Sequence, residues 1–238
     1  MIDHKHTTTS TNDDARSDLY GHFDVVWADI QSAGRGQRGH TWLSDEGLNL
    51  TFSVVLTPRF LPVTEQFLIS EVVALALVDT LADYDIACRI KWTNDIYAHD
   101  SKIEHALAGN CLMRTIVGVG INVNQRTFAS ELPNPASMAS LTGREFCREE
   151  VLNTFITHLK ALYAILEHGD KEHIESRYRT TMYHLDERHT YAYPTGERFD
   201  AILRGVRPSG ELCLEHDDGT IREYAFKEVE FCLPHKQK

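Results

Sequence analysis

The residues best suited to chemistry begin with Gln31 to Trp42, QSAGRGQRGHTW. Gly34, Gly36 and Gly39 let the backbone bring N–H groups close to a ligand, and Arg35 and Arg38 between them carry permanent charge on planar forks of donors. Such a loop suits the clamping of a carboxylate or phosphate. Gly34 to Gly39 also spells G-x-G-x-x-G, but a dinucleotide fingerprint needs a helix opening from its last glycine. Here Trp42 to Leu56 passes through an Asp45-Glu46-Gly47 turn into the β-rich run Leu48 to Leu56. The nicotinamide reading therefore lacks its helix, and a plain turn between two strands is the bland alternative.

Three further stretches carry polar chemistry: Ser10-Thr11-Asn12, then Lys91-Trp92-Thr93-Asn94-Asp95 with Lys102, and Gly118-Val119-Gly120-Ile121-Asn122-Val123-Asn124. Taken singly, Ser10 or Thr11 is a helix cap, Lys91 a surface charge, Trp42 a core aromatic and Asn122 a strand-end cap. Glycines inside a strand mark close approach of a ligand or another backbone.

The elements that position these stretches are legible from periodicity. Asp13-Asp14-Ala15-Arg16 reads as a short helix start, Phe23 to Ala28 and Leu48 to Leu56 as strands, and Glu65 to Leu81 as a helix with an apolar stripe. Cys88 to Trp92 and Ile96 to Ala98 are short strands around a Thr93-Asn94-Asp95 turn, Asp100-Ser101-Lys102 is the next turn, and Ile116 to Asn124 is a buried strand. Thr142-x-x-Glu145 has capping-box spacing for a helix through Leu166, and Glu172 to Leu185 is a further helix. From Arg188 the texture changes to short strands separated by Pro194-Thr195-Gly196, Pro208-Ser209-Gly210 and Asp217-Asp218-Gly219, the spacing of a small β-barrel.

The chain has 238 residues, enough for one large domain or one plus a small appendage. Its net charge of −11 argues against nonspecific nucleic-acid binding, so an anionic ligand must be held by local lysine and arginine. No apolar run reaches membrane-spanning length and Met1 to Asp14 lacks a signal-peptide core, so a cytoplasmic protein is expected. The five cysteines are scattered and read as free thiols, no structural zinc pattern is found, and none of the thirteen dispersed histidines is assigned to catalysis.

In this order, the motifs STN, GRGxxGxxW, KWxND and GxGxNVN, followed by the small barrel, resemble biotin protein ligases over nearly the whole chain. The resemblance implies an α/β catalytic domain over 1–187, a mixed sheet with packed helices of the class II synthetase-like type, and an SH3-like β-barrel over 188–238. It implies activation of biotin by ATP to biotinyl-AMP and transfer to one lysine of a biotin carboxyl carrier domain. Ser10, Thr11, Asn12 and Gln31 match positions around the biotin ureido head, with Gly34, Arg35, Gly36 and Gly118 lining the same ligand. Arg35 and Arg38 match the clamp on carboxylate and phosphate, Lys102 the lysine on the reacting oxygens, and Lys91 a partner of the ATP phosphates. Trp42, Asn94 and Asn122 match nucleotide-side positions, and Asp95 is the candidate for Mg²⁺, whose hard coordination suits a carboxylate near phosphate.

The departures are specific. Thr93 replaces the proline of the family's KWPND and is expected to be tolerated; Gln37 and His40 stand where some members carry arginine. The family continues K-I/L-x-G-I/L-L/V-I/V-E after its lysine, whereas here Lys102-Ile103 is followed by Glu104-His105-Ala106, as if about five residues of a central strand were absent. No DNA-reading head precedes the catalytic region, so no DNA partner is expected; no membrane partner is expected either, and a homodimer is an allowed state. The rival readings are a lipoyl or octanoyl ligase or transferase of related fold and a non-catalytic binder of biotin or nucleotide.

Overall fold

The structure, a computed structural model, describes residues 1–34, 45–98, 101–108, 113–129 and 134–233. Its main layer is a seven-stranded mixed sheet in the order β1-β2-β3-β7-β6-β5-β4. The strands are β1 (Ile2–Thr8), β2 (Val25–Gln31), β3 (Leu50–Leu56), β4 (Arg89–Lys91), β5 (Asp95–Ala98), β6 (Ser101–Ala108) and β7 (Thr115–Ile121). Only β1 and β2 run parallel; every other neighbouring pair is antiparallel.

Alternation along β3 and β7 separates two faces. Leu50, Phe52, Val54 and Leu56, with Val117, Val119 and Ile121, point into the main core. That core is closed by α2 (Phe67–Ala82) and α4 (Arg148–Glu167), where the Phe52 and Phe155 rings meet edge to face at 5.3 Å. In α2 the apolar residues run almost all round, so the helix is buried on nearly every side, including Val72, Leu75 and Leu77. Truncating Leu75 or Leu77 to alanine costs about 2–5 kcal/mol. The opposite face carries Val26 and Val55 with Ala15 and Tyr20 in a small cluster beneath the single-turn helix α1 (Thr11–Asp14). This thinly covered face is where the polar stretches collect.

Several boundaries depart from expectation for physical reasons. Strand β1 was not expected, because Asp3, His4, Lys5 and His6 hide the alternation; it forms as a parallel edge strand paired from Ile2↔Val25 to Thr8↔Gln31. The Thr142–Glu145 capping box does not form. Ser137 and Ser140 make that box at α3 (Met138–Thr142), and the Thr142 hydroxyl instead donates to the Met138 carbonyl at 2.8 Å. Lys102 is not in a turn but in β6, which lies between β5 and β7. The strand in which about five residues were expected to be absent after Ile103 runs without a break to Ala108.

Beyond α5 (Lys171–Thr181) lies an antiparallel five-stranded sheet ordered β11-β10-β9-β8-β12. Its strands are β8 (Arg188–Ala192), β9 (Arg198–Val206), β10 (Leu212–Glu215), β11 (Ile221–Tyr224) and β12 (Glu230–Phe231), the last not expected from the sequence. Among the described residues no β11–β12 pairing closes this sheet. It meets the main layer at Gly210, whose carbonyl accepts a hydrogen bond from the Trp92 indole at 2.9 Å. Gly210 has φ of 104°, and a Cβ there would lie 2.7 Å from the Phe67 ring, so both backbone and packing require glycine. No helix of the described residues is long and apolar enough to cross a membrane.

Candidate active site

Two groups of side chains sit at separate positions across the main sheet. The first is neutral. Ser10 caps α1, its Oγ accepting from the Asp13 N–H at 3.4 Å, which leaves Thr11 aimed at the sheet. The Thr11 N–H donates to Gln31 Oε1 at 2.8 Å, and its hydroxyl donates to the same oxygen at 3.2 Å. Thr11 Oγ1 also lies 2.9 Å from Ser53 Oγ. Since a hydroxyl has one proton, Ser53 is then the donor of that pair. Ser10, Thr11 and Ser53 are no more than 2% exposed, so these groups are paired rather than solvated.

The floor of this pocket is made by register. Ser53 pairs with Gly118 and Thr51 with Gly120, so the sheet beneath α1 presents backbone where side chains would otherwise stand. A Cβ on Gly118 would come within 3.1 Å of Asn12 Nδ2 and 3.9 Å of Ser53 Oγ. The sequence motifs therefore converge here: Ser10, Thr11, Asn12, Gln31 and Gly118 are brought together, and Gly34, also buried, ends the described part of the loop. Ser53 was missed by sequence reading. It is an ordinary small residue in a β-rich run, and only its register opposite Gly118 distinguishes it.

The second group is ionic. Lys102 Nζ donates to Asp95 Oδ1 at 2.7 Å, and Lys91 Nζ lies 3.6 Å from Asp95 Oδ2, so one carboxylate stands between two ammonium groups from three adjacent strands. The Lys91 ammonium also lies 5.5 Å from the Tyr97 ring centre and 5.2 Å from that of Phe231. Burial, followed by the Asp95 charge, pushes the Tyr97 hydroxyl well above its ordinary range, so it remains a neutral phenol. Asn94 is buried and accepts from the Thr93 hydroxyl at 2.7 Å, while the Thr93 carbonyl accepts from Tyr178. The turn is thus tied down by side chains around Thr93; the Trp92–Thr93 peptide is cis.

Asn122 joins this second group indirectly. Its Nδ2 donates to the Ala136 carbonyl at 3.1 Å, and Ala136 and Asn134 make backbone hydrogen bonds of 3.0 Å with Lys102. Arg35, Gly36, Arg38 and Trp42 lie outside the described residues. The arrangement as described can hold a neutral polar head on one side and neutralise phosphate or carboxylate charge on the other.

Comparison with known proteins supplies the context for this geometry. Residues 2–125 match the biotin/lipoate A/B protein ligase family. The chain is 26% identical over 222 residues to the biotin–[acetyl-CoA-carboxylase] ligase of Mycobacterium tuberculosis, covering 90% of this chain and 83% of that protein. It is 29% identical over 224 residues to the bifunctional ligase/repressor BirA of Bacillus subtilis, covering 84% of this chain but only 64% of that protein. Among solved structures, biotin protein ligase from Aquifex aeolicus, in complex with biotin and ATP, superposes with a TM-score of 0.85 at 24% identity, covering 98% of this chain and 99% of that one. That likeness establishes the fold, a mixed α+β architecture shared over nearly the whole chain. With a family match spanning more than half of its residues, the chain belongs to the biotin/lipoate A/B protein ligase family.

Proposed function

We propose that this protein is an ATP-dependent biotin protein ligase that forms biotinyl-AMP and transfers the biotinyl group to a lysine of a carboxylase's biotin carboxyl carrier domain. The observation that carries this reading is the pairing of a buried hydroxyl-and-amide pocket over a glycine floor with a Lys91–Asp95–Lys102 cluster on neighbouring strands. Biotin presents a neutral ureido head and a carboxylate tail, which call for these two environments.

Thr11, Gln31 and Ser53 exchange their mutual hydrogen bonds, and Ser10 its cap on Asp13, for those of the ureido ring, while Gly118 and Asn12 set the depth of the slot. The biotin carboxylate oxygen then attacks the α-phosphorus of ATP, a new P–O bond forms, and the bond to pyrophosphate breaks. Lys102 lies on the reacting oxygens and stabilises the charge that builds there, and Lys91 takes the phosphates. In the second step the acceptor lysine's neutral amine attacks the acyl carbon, AMP leaves with the bonding pair, and the amine's proton passes to solvent or to AMP. Arg35 and Arg38 close the glycine loop over the mixed anhydride and keep water from it, with Trp42 and Asn122 toward the nucleotide base.

The one protein carboxylate in the ionic cluster fits Mg²⁺, which binds through one or two carboxylates with phosphate and water completing its shell. Asp95 would hold it beside Asn94, and the ion would neutralise the departing pyrophosphate. The remaining chain, 188–238, is read as a separate C-terminal domain on the catalytic unit 1–187, soluble in the cytoplasm, with no DNA partner. The acceptor assay tests the proposal. With biotin, ATP, Mg²⁺ and a biotin carboxyl carrier domain, one acceptor lysine should gain the mass of a biotinyl group, and an acceptor that stays unmodified while a known ligase modifies it would overturn the reading.

A further inference from the structure

The turn leading into β8 brings two imidazoles and a carboxylate into one cluster that the reaction does not use. His184 and Asp186 both have positive φ, 64° and 59°, which folds the six residues His184 to His189 back on themselves. Histidine and aspartate tolerate that region better than most residues, but two of them in one turn is a local expense that needs a return. The consequence is that the His184 and His189 rings face each other at 3.5 Å between centres. Both point a ring nitrogen at the same oxygen, with His184 Nδ1 2.9 Å and His189 Nε2 3.0 Å from Glu187 Oε2. An ionised carboxylate only accepts, so both ring nitrogens present N–H groups to Glu187 Oε2, and the cluster gathers one carboxylate and two ring nitrogens that become ligands once those protons leave.

We propose that His184, Glu187 and His189 form a binding site for a borderline divalent transition-metal ion of the zinc type. Zn–N and Zn–O bonds of about 2.0–2.2 Å in tetrahedral geometry place ligand atoms roughly 3.3 Å apart. The nitrogen–oxygen separations of 2.9 and 3.0 Å need only a few tenths of an ångström of opening, and all three ligand atoms lie within 4.8 Å of one another. The ion replaces the proton that each imidazole now shares with the carboxylate. A hard cation such as Mg²⁺ is disfavoured, since two of three donors are nitrogen.

His184 and His189 also line a cavity of about 150 Å³ together with Phe231 and Cys232, which puts a free thiol in the wall of the space beside two of the three proposed ligands. The spacing H-x-x-E-x-H is not among the familiar zinc signatures, which is why the sequence reading assigned no histidine here. The cavity also shares a wall with the reaction site: the Phe231 ring that lines it carries Lys91 on its face at 5.2 Å, and Tyr97 packs at 5.5 Å on Tyr183 beside His184.

Zn²⁺ itself is the probe. The full chain, stripped with chelator, is titrated with Zn²⁺ against a chromophoric competitor, and thermal unfolding is followed with and without the ion. A stoichiometric site should appear with a raised unfolding midpoint. Glu187→Gln keeps the shape and hydrogen bonding of the turn, and His184→Ala with His189→Ala removes two ligands; each should weaken that site by at least about tenfold while circular dichroism stays unchanged. Co²⁺ substitution should give tetrahedral absorption bands that are lost in the same variants, and a thiolate charge-transfer band lost in Cys232→Ala would add the fourth ligand. Binding equally tight in wild type and in well-folded E187Q and H184A/H189A would place the ion on other histidines and overturn the proposal, as would no saturable binding at all.

Discussion

The two halves of the candidate site solve opposite problems. The Thr11, Gln31 and Ser53 side chains are neutral and hydrogen-bonded to one another, with Thr11 and Ser53 nearly inaccessible, so this group is ordered without a ligand. Around Asp95 everything is charged, and the side chains of Lys91, Asp95 and Lys102 keep 17%, 12% and 29% of their exposure. There the lysines are held in place by an internal counter-ion, Asp95. Burying the neutral groups costs little once they are paired, whereas two lysines without an anion would repel each other and lose their positions. Preorganisation is achieved by hydrogen bonds on one side and by a substitute anion on the other.

The comparison breaks most sharply at Lys102. Lys102→Ala should lower the rate of adenylate formation roughly 100- to 1,000-fold, with biotin affinity measured by calorimetry changing only a few-fold; unchanged turnover would remove Lys102 from the reacting oxygens. On the neutral side, Thr11→Val removes the hydroxyl shared by Gln31 and Ser53 and should weaken biotin by about 1–3 kcal/mol. Ser53→Ala should act in the same direction, and loss of thermal stability without loss of biotin affinity would reduce the group to a structural role. Asp95→Asn is smaller and selective, raising the apparent KM for ATP on the order of tenfold with the biotin dissociation constant unmoved.

A second carboxyl, on α2, lacks among the described residues the counter-ions that Asp95 has. Glu71 on α2 is 2% exposed, its Oε2 has no hydrogen-bond partner, and burial, then the Glu175 charge, pushes its pKa up to about 8. Its folded pKa lies above the ordinary value of 4.5, so between roughly pH 4.5 and 8 the folded protein binds a proton that the unfolded chain has released. Its contribution to stability is therefore fully present below that window and is lost as pH rises through it. Glu71→Gln should flatten the fall in unfolding midpoint across that range and leave turnover unchanged; an unaltered slope would mean the carboxyl is solvated in the folded state.

How much of this was legible from residues alone follows the same division. Helices α2 and α4 and the glycine strand β7 declare themselves through periodicity and composition, because each buries a continuous apolar face. Thr11, Gln31, Lys91, Asp95 and Lys102 were singled out by motif order, and the structure sets Thr11 beside Gln31 and Asp95 between Lys91 and Lys102. Ser53 could not be found that way, since its role depends on which strand lies opposite it. Strand β1 was hidden by its charged alternation, and the Thr142–Glu145 box expected to open the helix through Leu166 does not form, because Thr142 ends α3 and α4 begins at Arg148 behind Cys147, which makes no side-chain cap. The His184–Glu187–His189 cluster escaped because two left-handed residues bend the turn in a way no spacing rule anticipates.

In the proposed reaction the neutral group around Thr11 and the ionic cluster around Asp95 act on the two ends of a single biotin molecule. The direct measurement is to incubate the protein with ATP, Mg²⁺ and, in parallel, biotin, lipoate or octanoate, and to look for the acyl-adenylate by mass spectrometry. Biotinyl-AMP with biotin, and no adenylate with the other acids, is the expected result. An adenylate formed from lipoate or octanoate instead, or none from a folded sample with any acid, would contradict it.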